Sequence, residues 1–140
     1  MKNHSFYFIL LVIFTLTIAC SNEEDDIFII ENSKNATDCE LTILPTTLVA
    51  ICMNGSDFAF PNETLTYASK FASTNCDYLW TVESGDIEIL NVENSIVNSF
   101  TKSIATIRFG SDFSGGVISV KAEDTLSEGI IEYTIELEIQ

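Results

Sequence analysis

Ile131-Glu132-Tyr133-Thr134-Ile135-Glu136-Leu137-Glu138-Ile139 is the stretch that decides the fold class. Apolar and polar residues alternate one for one, and in an extended chain successive side chains point to opposite faces. The run therefore reads as a strand with its isoleucines, Tyr133 and Leu137 on a core and its glutamates in water. The same period continues upstream. After Gly115-Gly116, Ile118, Val120 and Ala122 face inward while Ser119 and Lys121 face outward. Ala105, Ile107 and Phe109 alternate with Thr106 and Arg108 before the turn at Gly110-Ser111-Asp112. Tyr78, Trp80 and Val82 alternate with Asp77, Leu79, Thr81 and Glu83, and Ser84-Gly85-Asp86 turns the chain into Ile87-Glu88-Ile89. Leu65, Tyr67 and Phe71 oppose Thr64, Thr66 and Lys70. With residues 41–44 and 48–51 added, about seven strands are expected at the turn spacings of an all-β sandwich. Pro45 and Pro61 fall between strands, where a missing N–H removes no ladder bond. No window carries the three-and-four spacing of an amphipathic helix.

The N-terminal end is of another kind. Lys2 precedes an apolar run from Phe6 to Ala19 that only Thr15 and Thr17 interrupt. Its length suits a signal-peptide core and falls short of the ~20 residues of a membrane-spanning helix. The run ends Leu16-Thr17-Ile18-Ala19-Cys20, which resembles a bacterial lipobox: a small residue gives the peptidase access, and the cysteine thiol takes the lipid. Residues 1–19 are thus expected to be a cleaved signal peptide, with lipidation at Cys20. Ser21, Asn22, Glu23, Glu24, Asp25 and Asp26 follow, an acidic cluster that resembles the surface-export signal of lipoproteins in the Bacteroidota. Residues 20–37 are read as a lipidated tether and 38–140 as the sandwich. The resemblance implies an outer-membrane, lipid-anchored protein displayed at the cell surface, or held at the periplasmic face.

All 21 acidic side chains lie after position 19, with five of the six basic ones, a net charge of −16 for that part. This reverses the basic footprint of a nucleic-acid binder. It would also be repelled by an anionic bilayer, so membrane attachment is expected through the lipid alone. The single histidine, His4, falls in the signal segment. Past it there is no histidine base, nucleophile–base pair or histidine metal ligand, and the carboxylates alternate with apolar residues as on wet strand faces. No catalytic residue, no cofactor and no metal site is expected. Asp112, Glu123 and Asp124 are loop carboxylates without the ligand density of a calcium loop.

Tyr78-Leu79-Trp80-Thr81-Val82, followed by Ser84-Gly85-Asp86-Ile87, resembles the Y-x-W-x-V…G-x-I core of PKD-like domains, an immunoglobulin-like family. Ile107-Arg108-Phe109-Gly110 and Gly116-Val117-Ile118-Ser119-Val120-Lys121-Ala122 resemble its later strands, so the resemblance covers residues 62–140. It implies a spacer, adhesive or carbohydrate-associated module. Expected functions are therefore a surface-anchored module for adhesion, assembly or ligand binding, a carbohydrate-capture accessory lipoprotein, or an inhibitor or immunity-type lipoprotein. The partner is a protein or a glycan.

Three further cysteines, Cys39, Cys52 and Cys76, match no zinc spacing. One disulfide with a free thiol, or three thiols, are the alternatives. Cys39 at the start of the first strand and Cys76 at the start of the Trp80 strand would share one end of a sandwich, which favours Cys39–Cys76 over Cys39–Cys52 or Cys52–Cys76. Trp80 reads as core. Phe58 and Phe60, in Asp57-Phe58-Ala59-Phe60-Pro61, either cover the sandwich edge or form a contact patch.

Overall fold

The computed structural model describes residues 34–43, 46 and 49–139. The readings at 1–19, Cys20 and Ser21 to Asp26 lie outside them. Eight strands are present, and no helix occurs among the described residues: β1 (Ile51–Asn54), β2 (Phe58–Ala59), β3 (Thr64–Phe71), β4 (Asp77–Ser84), β5 (Ile87–Val97), β6 (Phe100–Phe109), β7 (Gly116–Glu123) and β8 (Glu128–Leu137). They form two four-stranded sheets of order β1-β3-β6-β5 and β2-β8-β7-β4. All pairings are antiparallel except the short β2–β8 contact, which is parallel.

The inner faces meet as the alternation requires. Leu65, Tyr67, Ala105, Ile107 and Phe109 from one sheet are buried with Trp80, Ile118, Val120 and Ile135 from the other. Two polar ties cross this interior. The Trp80 indole N–H donates to Ser103 Oγ at 2.9 Å, and the Tyr78 hydroxyl to the Thr101 carbonyl at 2.6 Å. Each gives a buried polar group the partner that the interior would otherwise deny it. Burial raises the Tyr78 phenol pKa above its ordinary value, with neighbouring Cys76 adding to the shift, so the hydroxyl remains a donor.

Three expectations require correction. Residues 41–43 form no strand: the run is too short to bury alternate side chains, and Ile43 is 53% exposed. The strand expected over 48–51 instead begins at Ile51 and runs to Asn54. The disulfide is Cys39–Cys52, with Cα atoms 6.0 Å apart, and not Cys39–Cys76. The physical reason is that Cys39 begins no strand and belongs with residues 34–39. They run as a strap over the outer face of the β1-β3-β6-β5 sheet, where Cys52 of β1 faces out beside Lys70. Cys76 precedes β4 of the opposite sheet and is a free, half-buried thiol.

The strap is held along its length. The Ala36 N–H donates to the Thr66 carbonyl at 2.9 Å, and the Thr66 N–H to Asn35 Oδ1 at 2.8 Å. Lys102 Nζ donates to the Thr37 carbonyl at 2.9 Å, and Lys70 Nζ lies 2.7 Å from Asp38 Oδ1. Ala36 and Cys39 are buried there, and Ala68, on the outer face of β3, is wholly buried too. Ordered packing of the domain therefore begins by Lys34, within the segment read as tether.

Candidate functional site

The Phe58 and Phe60 segment lies where the chain crosses from β1 to β3. β2 adds only two residues to the sheet edge, with Phe58 opposite Glu136 and Ala59 opposite Leu137. Ala59 is fully buried, which anchors the crossing from below. Its two aromatic neighbours then part company. Phe58 points out and is 46% exposed. Phe60 is half-buried, with Lys34 Nζ 4.6 Å from its ring centroid. That ammonium also pairs with Glu63 at 2.8 Å and with Glu138. Burial works against the Lys34 charge, but the bonds to Glu138 and Glu63 outweigh it and raise the pKa. Glu63 in turn accepts the Phe60 N–H at 2.8 Å. One aromatic covers and the other is presented.

The presenting backbone is fixed by two tyrosines from the core. The Tyr67 hydroxyl donates to the Ser56 carbonyl at 2.8 Å. The Tyr133 hydroxyl donates to Asp57 Oδ1 at 2.6 Å and lies 2.8 Å from the Gly55 carbonyl. The two rings meet edge to face at 5.7 Å, a favoured aromatic geometry. Burial raises both phenol pKa values, and at Tyr133 the bond to Asp57 adds to it, so both stay protonated donors at neutral pH. Gly55 is required here because a Cβ would sit 2.0 Å from the Tyr67 ring. Ser56 closes the turn, its Oγ accepting the Phe58 N–H at 3.2 Å and donating to the Phe58 carbonyl at 2.7 Å. A tethered loop of this kind presents Phe58 with little ordering entropy left to lose on contact.

Sequence reading found the two phenylalanines but not the tyrosine clamp or Lys34. The available signal was the phenol itself, because an inward-facing tyrosine needs a partner for its hydroxyl.

A second concavity lies at the other end of the β4–β7 pair. It encloses about 210 Å³ and is lined by Asn75, Cys76, Asp77, Glu123, Asp124 and Thr125. The Asp124 carboxylate is occupied within its own turn. It accepts the N–H groups of Leu126 and Ser127, both at 2.7 Å, and the Leu126 bond first, then one from the Ser73 side chain and the Ser127 bond, lower its pKa. Cys39 and Cys76 are not brought together, and Asp112 lies apart from Glu123 and Asp124, its N–H bonded to Asp86 Oδ2 at 3.1 Å. Among the described residues no three acidic, cysteine or histidine side chains converge as a metal site. No protein-family model matches this chain, and no curated protein matches it either.

Proposed function

We propose that this chain is a surface-anchored lipoprotein whose non-catalytic, immunoglobulin-like domain presents a contact surface for adhesion or assembly. The anchoring half of the reading rests on Leu16-Thr17-Ile18-Ala19-Cys20 and the acidic run behind it. The strand order supports the immunoglobulin-like half. In a constant-type domain the first, second, fifth and fourth strands of seven face the third, sixth and seventh. With β2 as a short extra edge, β1-β3-β6-β5 against β8-β7-β4 follows that order. The observation that carries the presenting role is Phe58, an exposed aromatic on a loop that Tyr67 and Tyr133 hold rigid. Rigid aromatic anchors of this type concentrate binding energy at protein interfaces. The non-catalytic reading rests on the sequence past position 19, which has no histidine and no nucleophile–base pair.

Two measurements test the two halves separately. Cys20→Ser should move the full chain from the detergent phase to the aqueous phase; unchanged partitioning would remove the anchor. Cells displaying the full chain should be retained on protein-coated or glycan-coated surfaces, and Phe58→Ser should reduce that retention while Leu79→Ser does not. Equal retention of the parent and the Phe58 variant would remove the contact role.

A further inference from the structure

The four sheet edges are not protected alike. β1 offers four residues and β2 two, both too short to template much pairing. β4 carries Asp77 and Glu83 and is broken by a bulge between Val82 and Ser84. β5 is eleven residues long, and past its bulge between Ile89 and Asn91 it pairs regularly with β6 to Val97. In that regular part Glu93 is its one charge. Natural edges are usually blunted by shortness, charge or distortion, and over residues 91–97 this one has only Glu93 to blunt it.

Its free hydrogen-bonding groups can be assigned. β5 and β6 are joined by Asn98-Ser99, with φ of 51° and 67°, a two-residue turn of the kind that closes tight hairpins. Val97 and Phe100 are then the closing bonded pair, and bonded pairs recur at every second residue. Val92, Asn94 and Ile96 therefore direct their N–H and C=O groups away from β6. Their side chains share the inner face with Ala105, Ser103 and Thr101, their partners across the ladder. The opposite sheet buries those partners but leaves Val92 38% and Ile96 67% exposed.

We infer that β5 is a self-complementary edge that pairs antiparallel with β5 of a second copy of this chain, about a two-fold axis at Asn94. In that register Val92 of each copy faces Ile96 of the other, Asn94 faces Asn94, and Glu93 faces Ser95. Three bonded pairs form, about six backbone hydrogen bonds. No like charges are opposed, whereas a two-fold one residue earlier would set Glu93 against Glu93. The same patch serves both partners, as a closed dimer requires. The two sheets join into one of eight strands, and the apolar margin left open beside β4 is covered. A pairing of about seven residues on each side lies below the standard interface size, so the dimer belongs to the weak class.

The test uses the full chain in a Cys20→Ser, Cys76→Ser background, so that the introduced cysteine is the one thiol outside the Cys39–Cys52 disulfide. Asn94→Cys places one thiol on each side of the axis, about 5.5 Å apart at Cα in a bonded pair. A short bis-maleimide should give a product of twice the chain mass, with yield rising with protein concentration up to about 1 mM, the range of weak association. Lys121→Cys, on the outer face of the other sheet, should give none. Ile96→Lys added to Asn94→Cys should lower the yield at least tenfold while leaving the melting temperature unchanged, because Ile96 is solvent-exposed in the single chain. Absence of the doubled product, equal yield from the two cysteine positions, or indifference to Ile96→Lys would each overturn the dimer. Cross-linking of Asn94→Cys to a different protein in its place would overturn it as well and assign the edge to that partner.

Discussion

The two outer faces of this sandwich are built from the same alternating pattern and end in opposite states. On the β1-β3-β6-β5 sheet, residues 34–39 lie across the face, and even outward-pointing Ala68 is wholly buried. On the β2-β8-β7-β4 sheet nothing among the described residues lies across it. There Leu79, Lys121 and Ile130 form one rung, with Leu79 63% and Ile130 62% exposed. The Lys121 ammonium is held by Glu123 at 2.5 Å and Glu128 at 3.0 Å. Strand periodicity settles which residues share a face. Whether that face is covered is decided by a segment some thirty residues away in the chain, fastened by one disulfide.

The interior common to both faces sets the upper limit of any such contrast. Trp80→Ala removes the largest ring between the sheets and strands Ser103, and it should cost about 3–5 kcal/mol, read by chemical denaturation. The covered face comes next. Cys52→Ala opens a 13-residue crosslink and should cost about 3 kcal/mol. Hydrogen exchange at Ala36 and Thr66 should accelerate with it, and β7 and β8 amides should change no more than the global loss requires. A paired substitution then compares the faces directly. Ala68→Leu overfills the space under the strap and should cost about 1–3 kcal/mol, whereas Leu79→Ala on the open face should stay within about 0.5 kcal/mol. If Leu79→Ala proved the more damaging, the open face would have to be covered in solution.

Acid sharpens the contrast in its smallest form. The bond from Lys70 holds the Asp38 carboxyl below its usual pKa, against a smaller opposing effect of burial. A carboxyl with a depressed folded-state value stabilises the fold above its unfolded value near pH ~4, and that contribution is lost as pH falls through the lower folded value. Strap exchange should therefore rise on acidification through this window, and Asp38→Asn should weaken the dependence, most of all near Asp38, with the Lys34 pairs to Glu63 and Glu138 left to carry the rest.

What was legible in the sequence follows from how local each signal is. β8, β7, β6 and β4 declare themselves because Ile135, Val120, Ile107 and Trp80 sit in unbroken period-two runs, and a period needs only its neighbours. β5 was readable only through Ile87-Glu88-Ile89. The bulge at Ile89/Asn91 shifts the alternation, and the turn at Asn98-Ser99 lacks the glycine that usually marks such hairpins. The strap was illegible for a different reason. Three cysteines allow three pairings, and the choice among them depends on where residues 34–39 lie in space. In the segment proposed as the contact site, Phe58 and Phe60 stood out as aromatics among turn residues. Their division into presented and covered hung on Lys34, which is distant in sequence and looked like linker.

The ion pair between Lys34 and Glu138 joins the first and last parts of the folded domain. Entry and exit of the chain are thus only two side chains apart, a gap that a linker of about five residues would bridge. A domain with adjacent ends tolerates being cut elsewhere and rejoined there. Joining Glu138 to Lys34 and opening the chain at the exposed Thr125-Leu126 turn should give a circular permutant with the same sandwich. The same adjacency suits the domain to insertion as a cassette into a surface loop of an unrelated host, whose own fold it would leave almost unstretched.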